Sequence, residues 1–256
     1  MTCEIRMMGR KGSKSCKAII EGTSLKRYVG KKYRTDVLVN YGLCGQKLAD
    51  FYRKFPSAKG LPTINRYVGH SKLNAVNRVK EHGILVPDSR LSLRKTDKLA
   101  DWIEKRFSSQ GGKGICQAKG RKKLARKYYQ KMIKNRRYEL RVHVFQWVDK
   151  ADWSVQKRLG KEGEIAWNFN NGGYFSTVHN TSLPVFKKAI DIAEEVLDIL
   201  GLSFGAVDLI VDRDYEIYFI EVNSCPGFQE LSKHIYTDAF EELKRLPKKN
   251  ILRFTD

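Results

Sequence analysis

Residues 205–228 read "GAVDLIVDRDYEIYFIEVNSCPGF". Val207, Leu209 and Ile210, then Phe219, Ile220 and Val222, form two apolar runs of strand length, with the polar "DRDYE" between them as a short turn. Each run carries a polar group where a core strand should not: Asp208 in the first, Glu221 and Asn223 in the second. Residues two apart on a strand share a face, so Glu221 and Asn223 present their oxygens together, and a neighbouring strand brings Asp208 alongside. Two readings fit. The three form either a strand-edge cluster that faces water or an oxygen-only site for a hard cation such as Mg²⁺, which keeps water and substrate phosphates in its remaining positions. The apolar residues on both sides argue for deliberate burial and the second reading.

The rest of the chain bounds what such a site could serve. With 256 residues, 41% of them hydrophobic, there is enough chain for a sizeable core in one large domain or two or three lobes around a cleft. No apolar stretch approaches the ~20 residues of a membrane span, and the first residues lack the apolar segment of a secretory signal. The expectation is a soluble protein of the cytoplasm. Five scattered cysteines with no CxxC pair read as free thiols. The net charge of +21 is uneven, with 37 Lys and Arg against 11 Asp and Glu in residues 1–150, and 12 against 17 in the remainder. Between Lys105 and Tyr138 there are 13 basic residues and no acid. Such a run is either a solvated face or a surface for a polyanion, an acidic protein or a nucleic acid.

Strand and helix patterns alternate from the start. "EIRMM", "SKSCKAIIEGTS" and "DVLVNYG" make a βαβ beginning, and Ser71 caps a helix with Leu73, Val76 and Val79 on one face that Gly83 ends. "ILVPDS" reads as a strand cut by Pro87, "TDKLADWIEKRF" as a helix leading into a strand, and "YELRVHVFQWV" as an alternating strand. "PVFKKAIDIAEEVLDILG" is a long amphipathic helix just before the opening stretch. The class is α/β or α+β. In "SSQGGKGICQA", Gly111, Gly112 and Gly114 would let backbone approach phosphate oxygens while Lys113 and Lys105 supply charge, although a glycine-rich hairpin turn has the same composition.

Together these residues resemble the ATP-grasp ligases. "GAVDLIVDRDYEIYFIEVNSCPGF" is similar to that family's D, variable turn, E-V-N-x-x-P-G metal motif, which places Asp208, Glu221 and Asn223 on the magnesium ligands, with Mn²⁺ as an alternative occupant. Upstream, "IEKRFSSQGGKGI" resembles the family's lysine and glycine-loop element. Lys105 then falls on a phosphate-contacting lysine, and Gln110, Gly111, Gly112, Lys113 and Gly114 on the lid loop. "YYQKMIKNRRYELRVHVFQ" is similar to the hinge element, with Gln130, Lys131, Met132 and Ile133 against adenine and Arg141 on the phosphate side. "KRLGKEGEIAWNFNNGG" aligns with a stretch of RimK-type glutamate ligases, placing Lys157 near the transferred phosphate and Asn168 on that motif's Asn; the strand "YELRVHVF" also resembles phage-encoded ATP-grasp proteins, which implies an infected host cell as one setting. Lys131 stands where many members carry an acid, Ala166 replaces an Arg, and Asn170 and Asn171 replace His-Arg.

The resemblance implies an ATP-grasp fold with a pre-ATP-grasp βαβ domain over 1–75, a lid and hinge lobe over 76–145 and a metal-binding lobe over 146–256. It also implies an ATP- and Mg²⁺-dependent carboxylate–amine ligase working through an acyl phosphate, with an acidic protein or peptide among its substrate classes. The alternative is a basic nucleic-acid-binding or virion-associated protein that keeps the fold without ligase activity, supported by the Lys105–Tyr138 run. His143, beside Arg141, reads as a packed or solvated histidine before it reads as a base.

Overall fold

The computed structural model describes residues 3–68, 71–107, 114–160, 164, 165, 167, 173–227 and 232–255. The chain opens with strand β1 (Ile5–Gly9), helix α1 (Lys14–Gly22), strands β2 (Lys26–Arg27) and β3 (Val37–Tyr41), helix α2 (Gly45–Lys54) and strand β4 (Thr63–Ile64). The four strands form a parallel sheet in the order β2-β1-β3-β4. Both its faces are covered, so β3 is buried along its whole length rather than alternating, and its one polar residue, Asn40, has its side chain hydrogen-bonded to the backbone of Leu43 and Arg66. Ile5, Met7, Val37, Val39 and Tyr41 pack on one side against Cys16 and Ile19 of α1, while Met8 and Leu38 pack on the other with Tyr52 of α2.

Helix α3 (Lys72–Glu81) follows. The Ser71 hydroxyl accepts a hydrogen bond from the Asn74 amide at its start, and Gly83 takes a φ of +87° just past its end. Next comes a small antiparallel sheet of β5 (Ser89–Arg90), β6 (Trp102–Arg106), β7 (Cys116–Gln117) and β8 (Lys127–Lys131), in the order β5-β8-β6-β7. The strand expected from "ILVPDS" shrinks to its last residue and Arg90, because Pro87 has no amide to give a ladder. The helix expected before Trp102 is a single 3₁₀ turn, Leu99–Asp101.

The largest sheet takes β9 (Arg136–Phe145), β10 (Val155–Leu159), β11 (Tyr174–Thr177), β12 (Phe204–Asp212) and β13 (Ile217–Asn223), with helix α4 (Pro184–Leu200) between β11 and β12. All its pairings are antiparallel, in the order β11-β10-β9-β12-β13. One face is apolar: Leu140, Val142 and Val144 of β9, Val207, Leu209 and Val211 of β12 and Phe219 of β13 pack against Val76 and Val79 of α3 and Ala189, Ala193 and Leu197 of α4. Helix α3 and strand β9, which fall within 72–145 in sequence, thus both belong to the body of this sheet. Helices α5 (Lys233–Arg245) and α6 (Lys248–Ile251) return to the N-terminal sheet, where Tyr236, Phe240, Leu243 and Ile251 close its core. No helix among the described residues is long and apolar enough to cross a membrane.

Candidate active site

The second face of the large sheet is polar although it is enclosed. Strand alternation places Glu139, Arg141 and His143 of β9, Gln156 and Arg158 of β10, Asp208 of β12 and Glu221 and Asn223 of β13 on the floor of a cavity of about 1110 Å³. The small sheet supplies the roof through Ile103, Lys105 and Gln130, and the β1–α1 turn and α2 supply one end. This volume lies at or above the top of the ~300–1,000 Å³ range of ordinary ligand pockets, enough for a nucleotide and a second substrate together.

Asp208, Glu221 and Asn223 converge as the alternation predicts, but through a device that alternation alone does not contain. Asp208 is in register with Glu221, whereas the next residue, Leu209, is in register with Phe219; Ile220 is the extra residue of a β-bulge. Without it, Glu221 would lie on the same side as Phe219, in the apolar core. With it, Glu221 and Asn223 turn to the cavity, and the Asn223 amide lies 3.3 Å from Glu221 Oε1 and 3.4 Å from Asp208 Oδ2.

Each carboxylate is held by a cation. Arg141, in register with Asp208 on the neighbouring strand, donates to both its oxygens, from Nε at 2.7 Å and Nη2 at 2.8 Å. Burial pushes the Asp208 pKa up, but the charge and hydrogen bonds of Arg141 outweigh it and bring the value down to about 2. Burial likewise works against the Arg141 charge, and Asp208 more than offsets it, so that pKa is raised. Glu221 pairs with Lys72, the first residue of α3. Two carboxylates and an amide on one wall, all oxygen-bearing, fit a hard divalent cation, and the arginine and lysine already drawn to them show the positive charge that this spot attracts.

Lys105 is only 4% exposed, and among the described residues its side chain has one hydrogen bond, from Nζ to Gln130 Oε1 at 3.0 Å. Burial lowers its pKa, against the attraction of Glu221. Beyond Lys105, Gly114 takes a φ of +79°, a backbone conformation that favours glycine. Gln110, Gly111, Gly112, Lys113 and Asn168 lie outside the described residues.

Two assignments change place. Lys157 lies on the face of β10 opposite Gln156 and Arg158, with its ammonium 4.5 Å from the centre of the Tyr138 ring. The cation that alternation turns into the cavity is its neighbour Arg158, bonded to Glu139 at 2.8 Å. Of the four hinge residues, Gln130 lines the cavity, but Lys131 is exposed, and Lys131, Met132 and Ile133 are not among its described walls. The amides of Lys131 and Met132 are given to the carbonyls of Asp88 and Asp101.

Lys72, Glu139 and Arg158 had no assigned role in the sequence reading. Strand alternation from Arg141 would have found Glu139, and alternation from Gln156 would have found Arg158. Glu139 is held between Arg136 and Arg158, both at 2.8 Å, and burial raises its pKa. His143 is 1% exposed, contacting Tyr236 Oη at 2.7 Å through Nδ1 and Gln156 Oε1 at 3.1 Å through Nε2. Burial, then the Arg141 charge, lowers its pKa to about 4, so it is neutral and bound at both ring nitrogens rather than free to act as a base.

Residues 70–227 match the sequence profile of the ATP-grasp domain. The chain belongs to the ATP-grasp family. Solved structures of the same fold include D-alanine–D-alanine ligase from Bacillus anthracis in complex with ATP, at 13% identity and a TM-score of 0.62, covering 94% of this chain and 95% of that one. A Chryseobacterium gregarium RiPP-associated ATP-grasp ligase, with ADP and leader and core peptide, matches at 13% and 0.61 over 96% and 98% of the chains. The ATP-grasp ligase PsnB, with minimal precursor, Mg and ADP, matches at 12% and 0.56 over 93% and 97%. At such identities the likeness establishes the ATP-grasp fold and no substrate. No curated protein matches the chain significantly.

Proposed function

We propose that this protein is an ATP-dependent carboxylate–amine ligase. The observation that carries the reading is the meeting, in one cavity, of Asp208, Glu221 and Asn223 on the floor with the buried Lys105 in the roof. Structures of the same fold hold ATP, or Mg with ADP, and two of them are complexed with a minimal precursor or with a leader and core peptide, which supports a nucleotide in this cavity and a second substrate beside it.

In the proposed reaction a substrate carboxylate attacks the γ-phosphorus of ATP, the bond to ADP breaks, and an acyl phosphate forms. An amine then attacks the acyl carbon, phosphate leaves, and the nitrogen sheds a proton to give the amide. Lys105, Arg141, Lys72 and Arg158 face the charge that develops on the transferring phosphoryl group, and their fixed positions stabilise it without reorganisation. Asp208, Glu221 and Asn223 would hold Mg²⁺, which supplies charge neutralisation across the phosphates. No enzyme nucleophile is needed. The finer likeness to RimK-type members rests on residues 157–173, most of which lie outside the described part, and that to phage-encoded members rests on the strand sequence of residues 138–145.

Saturating Mg²⁺-ATP should raise the melting temperature by mass action, with a stabilisation of about 2.7 kcal/mol at a hundred times Kd. Glu221→Gln keeps the side-chain shape and removes one ligand charge, so the Mg²⁺-dependent part of that shift should shrink. An unmoved melting temperature in the parent protein at millimolar Mg²⁺-ATP would overturn the reading.

A further inference from the structure

The end of the cavity away from the small sheet is built from the β1–α1 turn, "GRKGSKS", and from α2. Arg10, Lys11 and Lys14 line it from the turn and the first residue of α1; Lys47, Phe51 and Lys54 line it from α2, spaced four and three residues apart and therefore on one face of that helix. None of the five cations has an acidic partner among the described residues. Lys54 rests on the Phe55 ring, and Arg10 Nε is shut off from solvent with no hydrogen-bond partner among them. The one carboxylate on this wall, Asp50, is already taken by Arg53 at 3.1 Å and Gln46 at 2.8 Å. The long basic run differs in place: of its described cations only Lys105 and Arg136 line the cavity, and Arg136, like Lys127 and Lys134, is paired with an acid.

We infer that this wall is a recognition site for an acidic peptide segment, carried by the substrate whose reacting group enters the cavity. The inference rests on the ligase reading and names its substrate class. The unpaired cations are the complement of several clustered anions, and their extent selects a chain over a compact group. Lys47 and Lys54 are two helical turns apart, about 10 Å along the axis, a span that roughly three residues of extended chain at ~3.3 Å each would cover. A single phosphate would meet only one end of that row. Lys11, Lys14, Lys47 and Lys54 are also exposed, so a bound chain can leave the cavity into solvent.

The test is fluorescence anisotropy with labelled hexaglutamate and hexaglutamine peptides, in the presence of Mg²⁺-ADP. Three proteins are compared: the parent, the double variant Lys47→Glu/Lys54→Glu, and the control Lys122→Glu/Lys123→Glu, which makes the same charge change on the small-sheet lobe. The parent should bind hexaglutamate at least about tenfold more tightly than hexaglutamine, and the α2 double variant should lose about tenfold while the control stays within about twofold. Equal loss in both variants would mean attraction to the overall positive charge and would overturn the site, as would equal affinity for the two peptides. Displacement of the peptide by inorganic phosphate at micromolar concentration would also overturn it, in favour of a compact phosphate ligand. The Mg²⁺-ATP melting shift of the α2 variant reports separately on nucleotide binding. If it persists while peptide affinity falls, the inference stands; if it is absent in the parent protein as well, the ligase reading fails on its own measurement.

Discussion

Lys105 and Asp208 are both buried charges, but they differ in company. Lys105 has a neutral glutamine as its hydrogen-bond partner and no carboxylate within ion-pair distance among the described residues, so its buried charge is costly in the ligand-free protein. Lys105→Met should therefore raise the melting temperature of the ligand-free protein, by ~2–4 °C for each kcal/mol of relief at this chain length. It should also abolish the shift that Mg²⁺-ATP produces. Differential scanning fluorimetry with and without nucleotide reads both, and a destabilised variant with a normal nucleotide shift would contradict the assignment. Asp208 is bound at both oxygens by Arg141, and Asp208→Asn leaves that guanidinium buried without its counter-charge. The expected loss is about 3–5 kcal/mol. Urea denaturation checks it, and a loss under about 1 kcal/mol would show that the pair is dispensable to the fold.

At the scale of the element, β9 carries the opposing demands of this sheet. Leu140, Val142 and Val144 feed the core while Glu139, Arg141 and His143 face the cavity, and of these three His143 is the one fully buried. His143 meets this by staying neutral, with a folded pKa of about 4 against 6.5 for a free histidine. Because the folded value is depressed, the unfolded chain binds more protons between those two pH values. The contribution is fully present above about 6.5 and is lost as pH falls through about 4, up to about 3 kcal/mol. Melting temperature measured from pH 7 to 4 should fall more steeply in the parent protein than in His143→Gln. Parallel slopes would mean that His143 titrates normally.

The whole molecule is held together by a return of the chain. The N-terminal sheet is closed by α5 and α6, so that one face of residues 5–41 is completed by Tyr236, Ala239, Phe240, Leu243 and Ile251. The Tyr41 hydroxyl donates to the Pro226 carbonyl at 3.0 Å, and a Cβ on Gly42, at φ +77°, would overlap Cys225 Cβ at 2.2 Å, so the segment after Asn223 is pressed against the N-terminal sheet where it walls the cavity. A chain ending at residue 231 should fail to unfold cooperatively: each lost large apolar side chain is worth ~1.5–3 kcal/mol, and four or more of them rival a net stability of ~5–15 kcal/mol. A calorimetric transition of undiminished enthalpy in the truncated chain would refute this interdependence.

Much of this was legible in the residues themselves. The convergence of Asp208, Glu221 and Asn223 on one wall was readable because they are acids and an amide inside apolar strands, and the helix capped at Ser71 and ended at Gly83 follows from local hydrogen bonding and backbone freedom. Local chemistry determines such features because their causes lie within a few residues. Which strands neighbour which is a different matter. That Arg141 meets Asp208, that Lys72 meets Glu221 across 149 positions, and that Arg158 rather than Lys157 enters the cavity depend on register between distant segments. The bulge at Ile220 is the sharpest case: one extra residue, fixed by pairing with β12, moves Glu221 from the core side to the cavity side. The sequence by itself determined the polar residues set within apolar strands and the local elements that carry them; only the tertiary structure decided their partners and the face they occupy, because with a side-chain period of two a single residue of register reverses every orientation.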